Sequence, residues 1–223
     1  MTIARWGIVP ICIALLLLSG GALLLPPGQV RWVYFVLAGM ALLFVIAFFR
    51  NPRRRPPPGE HLLVAPADGI VADIEEVESP GYIEGQTLRI GIFMNVFNVH
   101  VNRAPGSGTI EWVRYTPGRF LDVRHPDASH ANEANMLGLR LDSGVRVVVR
   151  QISGLIARRI VCTHSVGDSL RRGEIFGMIK FGSRLELWLP VETGRVVVRV
   201  GQKVRAGETV LVELPEQEGA QRG

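Results

Sequence analysis

Two apolar stretches open the chain. Trp6 to Leu25 carries no charge, and Val30 to Phe49 carries only Arg31 near its start. Each is about the ~20 residues that a helix needs to cross ~30 Å of hydrocarbon. Between them, Pro26-Pro27-Gly28 is a turn signal. The pattern predicts a two-helix transmembrane hairpin over residues 1–50, with helices at about 6–25 and 30–49. A cleaved signal peptide competes for the first stretch, but that run is long and its basic start has only Arg5.

Past Leu62 the pattern changes to short apolar runs punctuated by Gly, Pro and Asp. Leu62–Val64, Ile70–Ile74, Leu88–Phe93, Val145–Val149, Leu185–Leu189 and Val196–Val200 read as strands. No long stretch keeps a 3.6-residue apolar period. The fold class expected is mainly β (α+β), a compact antiparallel barrel-sandwich-like soluble domain behind the hairpin. Residues 51–60 form a basic, Pro-rich linker, 61–215 the soluble domain, and 216–223 a flexible tail. There is an internal echo, since Gly167-Asp-Ser-Leu-Arg-Arg-Gly-Glu174 resembles Gly201-Gln-Lys-Val-Arg-Ala-Gly-Glu208. Lipoyl-bearing barrel-sandwich domains use similar hairpins, and Ala65-Pro66-Ala67-Asp68-Gly69-Ile70-Val71 resembles their opening strand.

Charge adds an orientation. Arg50, Arg53, Arg54 and Arg55 crowd the end of the second apolar stretch, while the turn side has only Arg31. The positive-inside rule places that cluster, and the soluble domain after it, on the cytoplasmic side of the cell (inner) membrane. The cluster can also attract anionic lipid headgroups. The net charge of +5 over 223 residues comes with no basic stripe interleaved with aromatics, so no nucleic-acid partner is expected. Cys12 and Cys162 suggest no disulfide and fit a reducing compartment.

Three segments carry candidate chemistry: Pro66-Ala67-Asp68-Gly69, Asn98-Val99-His100-Val101-Asn102-Arg103-Ala104-Pro105, and Phe181-Gly182-Ser183-Arg184. Each has a plain structural reading, as a turn pair, a strand histidine and a bulge. Together they supply an acid, a base and a hydroxyl, the composition of a triad. The Gly-x-Ser-x-Gly elbow of hydrolases is absent, which argues against a conventional serine hydrolase. His61, His125, His130 and His164 show no ligand spacing, so no metal is expected. Ala131-Asn132-Glu133-Ala134-Asn135 reads as a polar loop or helix start.

These segments resemble the phosphatidylserine decarboxylase family, of the short bacterial type. The resemblance also includes Phe48-Phe49-Arg50-Asn51-Pro52, Asn132-Glu133, the run from Gln151 to Ile160, and the run from Gly173 to Arg184. It implies self-cleavage between Gly182 and Ser183, giving a β chain to residue 182 and an α chain from 183 that stay associated. Ser183 would be the nucleophile and become a covalent pyruvoyl group, the only cofactor implied. His100 would act as base and acid, and Asp68 would orient it. The implied substrate is phosphatidylserine, converted to phosphatidylethanolamine and CO2 at the membrane lipid surface. Arg103, or Arg158 and Arg159, could grip phosphate or carboxylate, or serve in structural salt bridges. Longer family members carry a Leu-Gly-Ser-Thr type motif, where this chain has Phe181 and Arg184 around Gly182-Ser183. They also carry a second histidine where Phe97 stands here. A non-catalytic membrane-anchored adaptor or carrier module is the alternative, although Lys180 and Lys203 are not set in a Met-Lys-type tip. A decarboxylase of another serine-headgroup lipid is the other, and a homo-oligomer is left open.

Overall fold

The computed structural model of the protein describes residues 2–121, 131–154, 159–180 and 183–216. Two compact units divide the chain, Met1–Arg53 and Arg54–Gly223.

In the first unit, the two-residue strands β1 (Thr2–Ile3) and β2 (Arg50–Asn51) pair antiparallel. Between them run α1 (Ile8–Leu24), entered through a 3-10 turn at Arg5–Gly7, and α2 (Gln29–Phe48). Of the two, α2 is long and apolar enough to cross a membrane, whereas α1 has only 17 residues. The hairpin as a pair of spanning helices is therefore not established by length and composition. The helices do pack together. A Cβ on Gly21 would lie 1.8 Å from the Tyr34 ring, so the missing side chain is what admits the tyrosine. The Tyr34 hydroxyl donates to the Leu17 carbonyl. Gly28 turns the chain at a φ of 144°, which a residue with a Cβ rarely adopts.

The second unit is built from strands. In chain order they are β3 (Leu62–Val64), β4 (Gly69–Glu78), β5 (Gln86–Met94), β6 (Val101–Arg103), β7 (Gly108–Thr116), β8 (Ala134–Leu141) and β9 (Arg146–Ser153). There follow β10 (Ile160–Cys162), β11 (Ser169–Leu170), β12 (Ile175–Ile179), β13 (Ser183–Pro190), β14 (Arg195–Val196), β15 (Lys203–Val204) and β16 (Val210–Glu213). Eight of them form a curled, half-barrel sheet in the order β11-β7-β8-β9-β13-β5-β4-β15. Two three-stranded sheets run β10-β12-β6 and β14-β16-β3. The strand pairings are antiparallel.

That order is a palindrome, and the sequence echo is its trace. β15 lies on β4 with Lys203 opposite Ile70, and β11 lies on β7 with Ser169 opposite Thr109. Gly201 and Gly167 enter these strands with φ of 85° and 95°, and Gly207 and Gly173 leave them with φ of 74° and 78°. All four positions favour glycine because a Cβ resists positive φ. The Val64 amide donates to the Pro105 carbonyl at 2.9 Å, and the Arg103 amide donates to the Pro66 carbonyl at 2.9 Å. This reciprocal exchange relates Ala65-Pro66 to Ala104-Pro105 across a pseudo-dyad. Even the β-bulges correspond, falling between Val71 and Asp73 on one arm and between Ile110 and Trp112 on the other.

The core fills the curl of the large sheet. Leu185, Leu187 and Leu189 of β13 face Val147 and Val149 of β9 and Ile90 and Ile92 of β5, all essentially inaccessible. Each such side chain contributes about 1.5–3 kcal/mol by leaving water. Two expectations need correction. Val196–Val200 is a strand only at Arg195–Val196, because the chain soon turns at Gly201 to enter β15. Ala131–Asn135 is no simple polar loop, since β8 begins at Ala134 and both Asn132 and Asn135 are buried.

Candidate active site

Ser183 opens β13, the strand at the centre of the large sheet. It sits opposite Met94 of β5 on one side and Ser153 of β9 on the other. Side chains alternate along a strand, so Ser183 shares the inner face with Leu185, Leu187 and Leu189. It is fully buried, and its hydroxyl lies 3.5 Å from the Met94 sulfur. Gly182 and Phe181 lie outside the described residues, as does Arg158.

His100 immediately precedes β6, which pairs with β12, and the Ile179 amide donates to the His100 carbonyl at 3.3 Å. The connection that ends at Ser183 thus starts beside His100. The imidazole is fully buried, with Nδ1 3.0 Å from the Asn98 carbonyl. A carbonyl only accepts, so Nδ1 carries a proton there, which leaves Nε2 as the nitrogen that can serve as a base.

Asp68, just before β4, is buried with its carboxylate against the turn between β15 and β16. One carboxylate oxygen accepts from the Ala206 amide at 2.8 Å, and the other pairs with Arg54 at 2.7 Å. Arg54 also binds Glu208 at 2.9 Å. This guanidinium of the basic cluster is therefore committed inside the second unit, with a side-chain exposure of 8%. Lipid attraction by Arg54 is corrected accordingly. Arg103 likewise donates to the Gly173 carbonyl at 2.8 Å and is buried. Burial first, then the charge of Arg54, hold its guanidinium below the ordinary arginine range. A structural role accounts for it.

The inner face near Ser183 is polar where the rest is apolar. Gln151 lies two residues before Ser153 on β9 and opposite both Leu185 and Asn135. Its amide nitrogen donates to Asn102 at 2.8 Å and approaches the Val161 carbonyl at 3.4 Å, and its oxygen accepts from Asn135 at 3.2 Å. All three side chains are buried. Asn132 ties the approach to β8 down, donating to the Leu121 and Ser153 carbonyls at 2.8 Å each. The sequence offered Gln151 and Asn102 only as members of matching runs. Alternation with apolar neighbours was the available signal, and it cannot say which face of a fully buried strand is the inner one.

The outer face of β13 carries charge instead. Arg184 donates through both Nη atoms to Asp73 at 2.5 and 2.7 Å and through Nε to Glu186 at 2.8 Å. Glu186 has no exposed surface and also accepts from the Trp188 indole at 3.1 Å. Arg150 and Arg89 stand 3.6 and 3.9 Å from it. Burial alone would raise the Asp73 carboxyl, but the bonds and charge of Arg184, with Arg89 behind them, leave it below the ordinary range.

Comparison with known proteins matches the sequence to a family. The profile described as phosphatidylserine decarboxylase matches residues 41–212. A phosphatidylserine decarboxylase proenzyme of Trichlorobacter lovleyi is 51% identical over 199 residues, covering 89% of each chain. One of Symbiobacterium thermophilum is 48% identical over 181 residues, covering 81% of this chain and 83% of its own. One of Syntrophus aciditrophicus is 50% identical over 176 residues, covering 79% and 82%. With all three chemistry-bearing segments inside the matched span, the chain belongs to the phosphatidylserine decarboxylase family.

Proposed function

We propose that this chain is a proenzyme that cuts itself between Gly182 and Ser183 and then decarboxylates phosphatidylserine to phosphatidylethanolamine and CO2. The observation that carries the reading is the placement of Ser183. A fully buried serine opens the central strand, at the end of a connection that starts beside a buried histidine. The relatives' names supply the substrate and the word proenzyme.

In this reading, His100 Nε2 takes the proton of the Ser183 hydroxyl. The oxygen attacks the Gly182 carbonyl, and the acyl group moves from nitrogen to oxygen. Loss of the Ser183 α-proton then expels the Gly182 carboxylate and breaks the chain. Water replaces the amino nitrogen of residue 183, which leaves as ammonia, and a ketone remains. The Asn98 carbonyl holds the imidazole at Nδ1, and Asp68 would help to orient His100.

The residues fit the group so formed. It keeps only the carbon skeleton of Ser183, so the space between Met94 and Ser153 that holds the serine suffices. Its carbonyl would supply an electron sink for the substrate amine, the part that a pyridine cofactor plays elsewhere. His100 would hold the proton that replaces CO2. The closed inner face limits water, with Leu185 and the core behind it. The first unit would anchor the enzyme as a transmembrane hairpin, with the catalytic unit on the cytoplasmic side. Both the second crossing and the side rest on hydropathy and the arginine cluster.

The test is intact mass after purification. The wild type should give a small chain starting at residue 183 with a blocked end, and Ser183→Ala should stay whole at 24.5 kDa. A wild-type chain that stays whole, with no headgroup conversion on phosphatidylserine vesicles, overturns the reading.

A further inference from the structure

Cleavage would turn residue 183 into a chain end, and chain ends fray unless something ties them down. The residue holding the reactive carbonyl is the one that can least afford to move, because misplacement by about 1 Å can cost about 100-fold in rate. Backbone pairing of β13 with β5 and β9 holds residue 183 before cleavage. The next residue along, Arg184, points to the opposite face and is gripped by side chains there.

Several separate features serve that one guanidinium. Asp73 binds it bidentately from β4, two strands away, with β5 in between. The route over β5 is open because position 91 is glycine, where a Cβ would lie 2.2 Å from an Arg184 Nη atom. Asp73 faces outward because of the bulge after Val71. Val71 sits opposite Ile92 of the core, and with strict alternation Asp73 would point inward too, yet it sits opposite Gly91. Glu186, fully buried and directly opposite Gly91, takes the third donor. Buried ion pairs are weak devices for stability, and apolar residues often serve as well. What a two-point fork adds is fixed geometry.

We propose that the Arg184–Asp73–Glu186 array is an anchor for the chain end made by self-cleavage, and that Arg184 is a positioning residue for the reactive carbonyl. The proposal rests on the cleavage reading above. It also gives a use to the arginine that stands where longer family members have threonine. Lysine cannot replace it, since one ammonium lacks the planar fork that reaches Asp73 and Glu186 together.

The experiment compares Arg184→Gln, Arg184→Lys and Gly91→Ala in two backgrounds, the processed enzyme and the uncut Ser183→Ala chain. Gly91→Ala keeps every charge and displaces only the fork, so it tests the idea even if Arg184→Gln folds poorly. Processed variants should show kcat on phosphatidylserine micelles lower by about tenfold or more, with KM within about twofold. Hydrogen exchange in the peptide starting at residue 183 should quicken in the processed form and stay near the parent level in the uncut chain. A processed Arg184→Gln enzyme with parental kcat overturns the proposal. So does equal quickening in both backgrounds, which would mark the array as ordinary structure. A folded Arg184→Gln chain that fails to cut itself also overturns it, since the array would then act before the break. A wild type that never cuts overturns the cleavage reading itself, which separates that failure from the anchor's.

Discussion

The two arms of the pseudo-dyad provide a control inside one molecule. At one corner the Ala206 amide donates to Asp68, and at the matching corner the Arg172 amide donates to the Ser107 hydroxyl at 3.1 Å. Each corner carries the same positive-φ glycine after it and the same reciprocal proline contact. The turn therefore needs one acceptor, and a serine supplies it. The rest of the Asp68 carboxylate, with Arg54 and Glu208 around it, exceeds what the fold requires. The histidines divide likewise. His100 accepts from the Ile179 amide through its carbonyl, and His61 does the same for Leu214. Yet His100 is fully buried, while His61 keeps 29% of its side chain exposed, 3.6 Å from Glu216. What the arms share reports folding, and what they do not share is where the proposed site residues Asp68 and His100 lie.

Five substitutions press on that contrast. The largest effect is expected at the histidines. His100→Ala should slow self-cleavage by about 100-fold or more, while His61→Ala should leave the gel time course within about twofold. Similar rates for both would erase the distinction. Asp68→Ser copies the Ser107 corner, so it should keep the fold and slow processing by about tenfold or more. Normal processing by this variant would make the two corners equivalent in chemistry as well as in shape. Arg54→Met removes the buried ion pair to Asp68, and urea unfolding should register a loss of about 3 kcal/mol. A loss under about 1 kcal/mol would place Arg54 with ordinary surface charges. Ser107→Ala should cost about 1 kcal/mol through its lost amide contact and leave processing at the parental rate. Slowed cutting there would mean that the serine corner also serves the site.

Much of this was legible before any coordinates. The helices fall at Ile8–Leu24 and Gln29–Phe48, close to the apolar limits, because an unbroken run leaves little room for another reading. Strands rich in apolar residues, such as Leu185–Leu189, lie inside longer ones. β7 was missed because Glu111, Arg114 and the bulge at Trp112 break its alternation. The pseudo-dyad was half visible, since the echo of Gly167–Glu174 in Gly201–Glu208 follows from glycines that the turns require. Its other half, Ala65–Val71 against Ala104–Ile110, shares little beyond Ala-Pro and one glycine. Those glycines, Gly69 and Gly108, have ordinary φ but would each drive a Cβ to within 2.2–2.3 Å of a neighbouring carbonyl. Asp68, His100 and Ser183 could be named from their types, but the Asn98 carbonyl contact could not, because backbone partners leave no side-chain signature. The Arg184 array was equally hidden, since it depends on a bulge and a diagonal reach that no spacing reveals.

The central position of β13 also makes it the link between the two halves of the large sheet. β4 with β5, and β7 with β8 and β9, are joined by short-range connections and can form as separate meanders. Among the described residues, β13 is the strand of the large sheet that pairs with both β5 and β9, and it comes later in the chain than either. Its pairing with β5 joins residues 89 apart, Met94 and Ser183, and so carries a larger loop-closure cost than pairing within either meander. Within the large sheet, the same strand that joins the two meanders also places Ser183. The serine's two strand neighbours, Met94 and Ser153, thus come from different halves of the sheet, and both are in place only once β13 has paired with each.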